Sequence, residues 1–222
     1  KLPCFLIGSP KYDAFMNYVI SKDRIDSLGI CATKYDDLDQ VQTLIKRVTN
    51  TNLENVYFRP HPADSRIEDF ESLCKAEGVQ FSNSTEESAL AFLKKIDAVL
   101  SNESNIHLEA VLLNIYPFYL NFCSEVTDQY DFIKNGLITD VFTETDQFIS
   151  RLSELIRNRP NIRNRALSFN ALIGSPLEGH SAKLSGDIIE KHWTTKGYLK
   201  NWEVIPGKAL KGYKPLGIGK AQ

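Results

Sequence analysis

Arg59, His61, Ser101, Asn102, Ser104 and Asn105 are the residues of this 222-residue chain whose types and settings suit the holding of an anion. Arg59 and His61 stand in the run Arg59-Pro60-His61-Pro62, at the end of the apolar stretch Asn55-Val56-Tyr57-Phe58. Proline fixes its own φ and pushes the preceding residue toward extended backbone, so Arg59 and His61 should leave a strand as a stiff, non-helical lip. In an open α/β sheet the ligand crevice lies beyond the carboxyl ends of the strands, and there a rigid His and Arg read as a phosphate clamp. The competing reading is a surface turn with a solvated histidine.

The second group, Ser101-Asn102-Glu103-Ser104-Asn105, is the turn from a predicted strand into a predicted helix. A helix start offers unpaired N–H groups and the positive end of the macrodipole, and the Ser and Asn side chains add donors, so the turn can cradle a phosphate. Ordinary N-capping favours the same residues and is the alternative. Both groups fall at carboxyl ends of strands separated by one intervening strand and should face one crevice. Glu109, on the helix that follows, can accept hydrogen bonds from a ribose diol or from the protein itself. His107 on that helix reads as a core or surface histidine. Gly8 and Ser9 follow another predicted strand, where a missing side chain lets a ligand or a partner domain approach, or where the chain makes a plain β-turn. His180 and His192 have no metal-ligand spacing and read as solvated.

The elements that position these residues alternate. Cys4–Ile7 reads as a strand and Tyr12–Ile20 as a helix, with Ser27–Ala32 as a second, weaker strand. Asp36–Val48 places Leu38, Val41, Leu44, Ile45 and Val48 on one helical stripe, and Val56–Phe58 is the strand entering the proline lip. Arg66–Ala76 is a helix closed by Gly78, followed by a strand over Val79–Phe81. Ser84 and Glu87 have capping-box spacing for a helix through Leu93, and Asp97–Leu100 is the next strand. The helix to about Leu113 is apolar on almost every side and should be buried against the sheet. Ile115–Leu120 contains Pro117, which suggests a strand near an edge. After Asp128 the pattern turns helical, with segments around Phe148–Ile156, Ile162–Leu172 and Gly179–Trp193. The expected architecture is a Rossmann-like α/β domain with a mostly parallel sheet over residues 1–193 and an extended arm over 194–222.

Composition narrows the function classes. The chain is 42% hydrophobic and 24% charged with a net charge of −2, so it has no basic footprint for nucleic acid or an anionic membrane. Phosphate recognition must come from a few placed donors, which suits a nucleotide or sugar phosphate. Cys4, Cys31, Cys74 and Cys123 are widely spaced, as expected of buried thiols in a reducing compartment and not of a zinc site. No metal or cofactor is expected, since no carboxylate cluster calls for one. No apolar run approaches the roughly 18 residues of a membrane span. The chain opens without methionine and almost inside a predicted strand, as expected of a piece of a longer protein. No Walker loop, G-x-G-x-x-G or G-x-S-x-G occurs, which argues against a nucleotide hydrolase, a dinucleotide dehydrogenase and a serine hydrolase.

Tyr57-Phe58-Arg59-Pro60-His61-Pro62, followed by the run Asp97-Ala98-Val99-Leu100-Ser101-Asn102-Glu103-Ser104-Asn105-Ile106-His107-Leu108-Glu109-Ala110, resembles the nucleotide-binding half of certain GT-B glycosyltransferases. The likeness is to bacterial transferases using CMP-activated sialic acid or Kdo, and to CDP-glycerol polymer transferases, which carry a His-Pro motif and then a Ser-rich motif. It covers residues 55–120, with a looser fit of Leu6-Ile7-Gly8-Ser9-Pro10 to a first strand. The resemblance implies that His61 and Ser104 contact the phosphate of a donor nucleotide, with a CMP-sugar favoured. Asn105 stands where the family commonly has a second serine, and the resemblance implies it as a donor in that place. It further implies polysaccharide or glycolipid acceptors, a cytoplasmic location or a peripheral one at the inner face of the membrane, and a partner Rossmann-like domain before this one. The catalytic base is expected outside this chain. A sugar-nucleotide epimerase of the same architecture and a non-catalytic binding module remain as alternatives.

Overall fold

The computed structural model describes residues 5–121 and 126–195; the arm expected from Thr194 onward lies almost wholly outside them, as do Cys4 and Cys123. In chain order the elements begin with α1 (Asp13–Met16), β1 (Ser27–Cys31), α2 (Leu38–Thr49), β2 (Asn55–Arg59) and α3 (Ile67–Glu77). There follow β3 (Gln80–Phe81), α4 (Ala89–Leu93), β4 (Ala98–Ser101), α5 (Ile106–Leu112) and β5 (Tyr116–Leu120). The last are β6 (Asp140–Phe142), α6 (Thr145–Leu155) and α7 (Ser181–Thr195). The described residues form two compact units, one within residues 20–163 and the other combining 5–19 with 164–195.

The first unit is a six-stranded sheet in the order β3-β2-β1-β4-β5-β6, with every pair parallel. The expected Rossmann-like α/β architecture is therefore what this sequence forms. α2 packs with α3 and α6, and α4 with α5, as right-handed crossovers on opposite faces require. The stripe Val41, Leu44, Ile45 and Val48 of α2 is buried, and so is every residue of α5. Asp37 caps α2 by accepting from the Asp39 and Gln40 N–H groups, and Gly78 ends α3 in the left-handed region at φ 69°. At the amino edge, buried Asp97 accepts from Ser27 N at 3.1 Å and Ser27 Oγ at 2.8 Å, stitching β4 to β1.

Several expectations are corrected. Residues 5–9 form no strand, because Gly8 turns the backbone left-handed at φ 69° and Pro10 starts a 3-10 turn; so short an apolar run does not specify a strand. The helix expected over Tyr12–Ile20 is confined to Asp13–Met16. β1, read as the weaker strand, lies at the centre of the sheet. It looks weak because of Gly29, yet a Cβ there would come within 2.6 Å of both Phe92 and Ile96. β5 does lie near an edge, next to the edge strand β6, and pairs on both sides. The Tyr116 N–H points to Asp97 O on the β4 side, so the Pro117 nitrogen faces β6, whose pairing starts only at Phe118 opposite Asp140; no ladder donor is lost. β6 lies where helix was expected. The segment expected as a helix over Ile162–Leu172 holds a 3-10 turn, Arg163–Ser168. Ser88, not Ser84, caps α4 by accepting from Ala91 N, while Glu87 accepts from Ser82 Oγ at 2.7 Å.

In the second unit, Asp13 accepts from the N–H groups of Ser181 (2.9 Å) and Ala182 (2.8 Å) at the start of α7. A Cβ on Gly8 would lie 2.6 Å from Ser181 Oγ and 2.7 Å from Asn170 Oδ1. Gly8 is thus required by its own unit's packing, and it and Ser9 follow no strand.

Replacing Gly29 with Ala should destabilise the protein by roughly 1–3 kcal/mol, the cost of forcing a methyl group into a packed core. Urea unfolding measures this, and an unchanged midpoint would contradict the packing assigned to β1.

Candidate functional site

The order 3-2-1-4-5-6 reverses direction between β1 and β4, and ligands of such sheets bind at the carboxyl ends of the strands beside that reversal. The loops arriving there are residues 32–37 after β1, 60–66 after β2 and 101–105 after β4. β1 is the strand lying between the His61 lip and the 101–105 turn. A shallow concavity at the reversal is lined by Cys31, Ala32, Asp36, Leu100, Ser101 and Asn102.

Buried Asp36 ties two of these loops together. Its Oδ2 accepts from Thr33 N at 2.7 Å and its Oδ1 from Asn102 Nδ2 at 2.8 Å. Burial pushes its carboxyl upward, opposed by the Thr33 hydrogen bonds and by Arg66. Arg66 joins the third loop, donating to Asp36 O at 2.8 Å while forking onto both oxygens of Asp64 at 3.0 and 2.8 Å. Hydrogen bonding from Arg66 holds the Asp64 carboxyl below its ordinary value. Thr33, Asp36, Asp64 and Arg66 were not singled out from the sequence. The strand supposed at residues 4–7 hid which strand comes first, and with it the place of the reversal.

Of the expected donors, two point inward. Ser101 Oγ donates to Cys31 O at 2.9 Å. The amide nitrogen of Asn102 serves Asp36 and Thr33 Oγ1, and its Oδ1 is buried without a partner among the described residues. Neither side chain is a free donor for phosphate. Arg59 is likewise engaged: it donates to Ser82 Oγ at 2.8 Å and Glu87 O at 2.7 Å, and lies over the Phe92 ring. It is 9% exposed, and burial lowers its pKa, against the nearby Cys31, Glu87 and Glu109. Buried Glu109 is thus placed electrostatically beside Arg59 and Cys31. Burial also pushes the Cys31 thiol up to about 12, so it is no nucleophile.

His61 and Ser104 behave differently. Exposed His61 accepts from Ala63 N through Nδ1 at 3.1 Å, so a neutral ring carries its proton on Nε2 and can donate it. Ser104 Oγ accepts from Ile106 N at 3.3 Å, which leaves its hydroxyl hydrogen available. Asn105 is exposed and its side chain makes no cap hydrogen bond. The backbone N–H groups of Glu103, Ser104 and Asn105 donate to no acceptor among the described residues. They are three consecutive backbone donors, the kind of group from which anion-binding nests are built. α5 has seven residues, so the turn itself, and not a long helix dipole, supplies the donors. Glu103 Oε2 is buried without a partner among the described residues, so the turn carries a carboxylate beside its N–H donors and no net positive charge. Among the described residues no group of three or more His, Cys, Asp and Glu is placed to hold a metal, and no helix is long and apolar enough to cross a membrane.

No protein-family model matches the chain, and no curated protein matches it. Solved structures do. A protein of Listeria monocytogenes assigned as a UDP-N-acetylglucosamine 2-epimerase aligns over 90% of this chain and 56% of its own, at TM-score 0.54 and 13% identity. A second UDP-N-acetylglucosamine 2-epimerase aligns over 90% and 54%, also at 0.54 and 13%. The wall teichoic acid polymerase TagF, soaked with CDPG, aligns over 86% and 51% at TM-score 0.50 and 16% identity. The Rossmann-like α/β fold of this chain matches about half of each of these GT-B-type structures. The chain spans about half the length of these structures.

Asp64, whose carboxyl is depressed in the folded protein, contributes stability above the unfolded carboxylate value of about 3.9, and that contribution is lost as pH falls through the lower folded value. Asp64→Asn should therefore be less stable than the parent near neutral pH, with the gap closing in strong acid. Urea unfolding at a series of pH values checks this; a gap independent of pH would contradict it.

Proposed function

We propose that this chain is the donor-binding half of a GT-B glycosyltransferase and holds the phosphate of a nucleotide sugar, a CMP-sugar by preference. The observation that carries this reading is shared by His61 and Ser104. Each accepts a local backbone N–H and so keeps its own hydrogen for a ligand, and the two stand at the ends of β2 and β4, on either side of β1. His61 Nε2–H, Ser104 O–H, Asn105 and the 103–105 N–H groups bind the phosphate. As the anomeric carbon is attacked, charge moves onto the leaving phosphate, and donors already in place stabilise it. Arg59 adds positive charge at a distance, and Glu109 is the acceptor for a ribose diol. Ser101 and Asn102 shape the turn. The acceptor, a glycan or glycolipid, and the base that activates it belong to a second Rossmann-like domain outside this chain, so the chain alone binds donor with little or no turnover.

A sugar-nucleotide epimerase is the second reading, favoured by the two epimerases at TM-score 0.54. Both readings require a phosphate seat. They separate in the assembled protein, where an epimerase alters UDP-N-acetylglucosamine without any acceptor and a transferase does not.

Calorimetric titration with CDP, UDP, cytidine and uridine tests the seat. His61→Ala should weaken diphosphate binding by roughly 1.5–3 kcal/mol, the range for a hydrogen bond to a charged group. Ser104→Ala should weaken the diphosphates and hardly touch the nucleosides, and the double variant should lose less than the sum because both side chains meet one group. Equal losses for nucleoside and nucleotide, or strict additivity, would remove the reading.

A further inference from the structure

His107 is fully buried on α5 and stacks against Tyr119, with ring centroids 6.2 Å apart. Its Nε2 lies 2.8 Å from Asn102 O. A carbonyl only accepts, so Nε2 bears the proton and donates it. Burial pushes the ring's pKa down to about 4, which keeps it neutral near pH 7. Nδ1 is left as a lone pair without a partner among the described residues.

The consequence lies in the next peptide. In a trans peptide the C=O and the following N–H point in opposite directions, and the described residues contain no cis bond. By drawing the Asn102 carbonyl into the core, His107 turns the Glu103 N–H away from it. That N–H is the first of the three unpaired ones. The Asn102 side chain is meanwhile fixed by Asp36 and Thr33, so this peptide is held from both ends. Packing alone does not account for an imidazole here. A phenyl ring fills similar space without an orphaned nitrogen, which itself costs about 1–3 kcal/mol.

We infer that His107 is a positioning residue: its Nε2–H bond to Asn102 O holds the 102–103 peptide so that the N–H groups of Glu103, Ser104 and Asn105 face a ligand phosphate. The inference rests on the phosphate reading of that turn. His107 itself touches no ligand and acts through the backbone.

The test uses the whole chain with His107→Phe, which removes the donor, and His107→Gln, whose side-chain amide can replace it. Wild-type protein is titrated first with CDP, UDP, cytidine and uridine; no preference for the nucleotides would defeat the phosphate reading and this inference with it. Given that preference, His107→Phe should lose diphosphate affinity by roughly tenfold, one charged-acceptor hydrogen bond's worth, with nucleoside affinity and melting temperature nearly unchanged. His107→Gln should recover most of the loss. Undiminished diphosphate affinity in His107→Phe, or a loss shared equally by the nucleosides, would overturn the assignment while leaving the phosphate reading standing. Nitrogen-15 NMR of the wild-type imidazole reads the bond without any ligand: an Nε2–H tautomer is expected, and an Nδ1–H tautomer would overturn it.

Discussion

Asp36 is a carboxylate taken out of water at the point where the sheet reverses direction, and the carboxyl rim of this protein is organised around satisfying it. A buried charge is tolerated only when hydrogen bonds replace its hydration. Thr33 N and Asn102 Nδ2 supply them, one from its own loop and one from across the reversal. Answering that need brings the β4 turn against the β1 loop and fixes which way the Asn102 amide faces. Arg66 extends the same network to the β2 loop through the Asp36 carbonyl and Asp64. Three loops that would otherwise move independently are thereby referenced to one another.

The division of labour among the polar residues follows from that arrangement. Ser101, Asn102 and Arg59 direct their donors into the protein, while His61 and Ser104 each accept a neighbouring backbone N–H and present a hydrogen outward. Residue type alone does not separate these two roles, because serine, asparagine and arginine can do either. What separates them is which local acceptors lie within reach once the strands are paired.

The same distinction explains what could be read from the sequence. The alternation of strands and helices, the α2 stripe, the Gly78 cap and the wholly buried α5 depend on nearest neighbours and on a single face, and each is legible in the residues. So are the positions of His61 and Ser104 at strand ends. Sheet order is not, since Gly29 weakens the local signal of the central strand while Phe92 and Ile96, far along the chain, are what require it. Pro117 points to the margin of the sheet, but what tolerates it there is the short reach of β6, on the side its nitrogen faces. Asp36 and Arg66 were illegible as site-forming residues because their partners lie on other loops.

The bond from Ser181 N to Asp13 joins residues 168 positions apart. The unit to which it belongs is therefore assembled from two distant stretches of chain, with the whole of the other unit between them. A ribosome releases residues 20–163 as one continuous piece, and that piece can collapse as soon as it emerges. Residues 5–19 emerge earlier, but the partners described for them in their own unit, Asn170, Leu172 and Ser181 among them, are made only after residue 163, so during synthesis the Asp13 carboxylate waits for the first N–H groups of α7. The entropy of closing so long a loop rises only with the logarithm of its length, and a prefolded insert has already covered most of it. The order of synthesis thus completes the continuous unit first and the unit built from both stretches only afterwards.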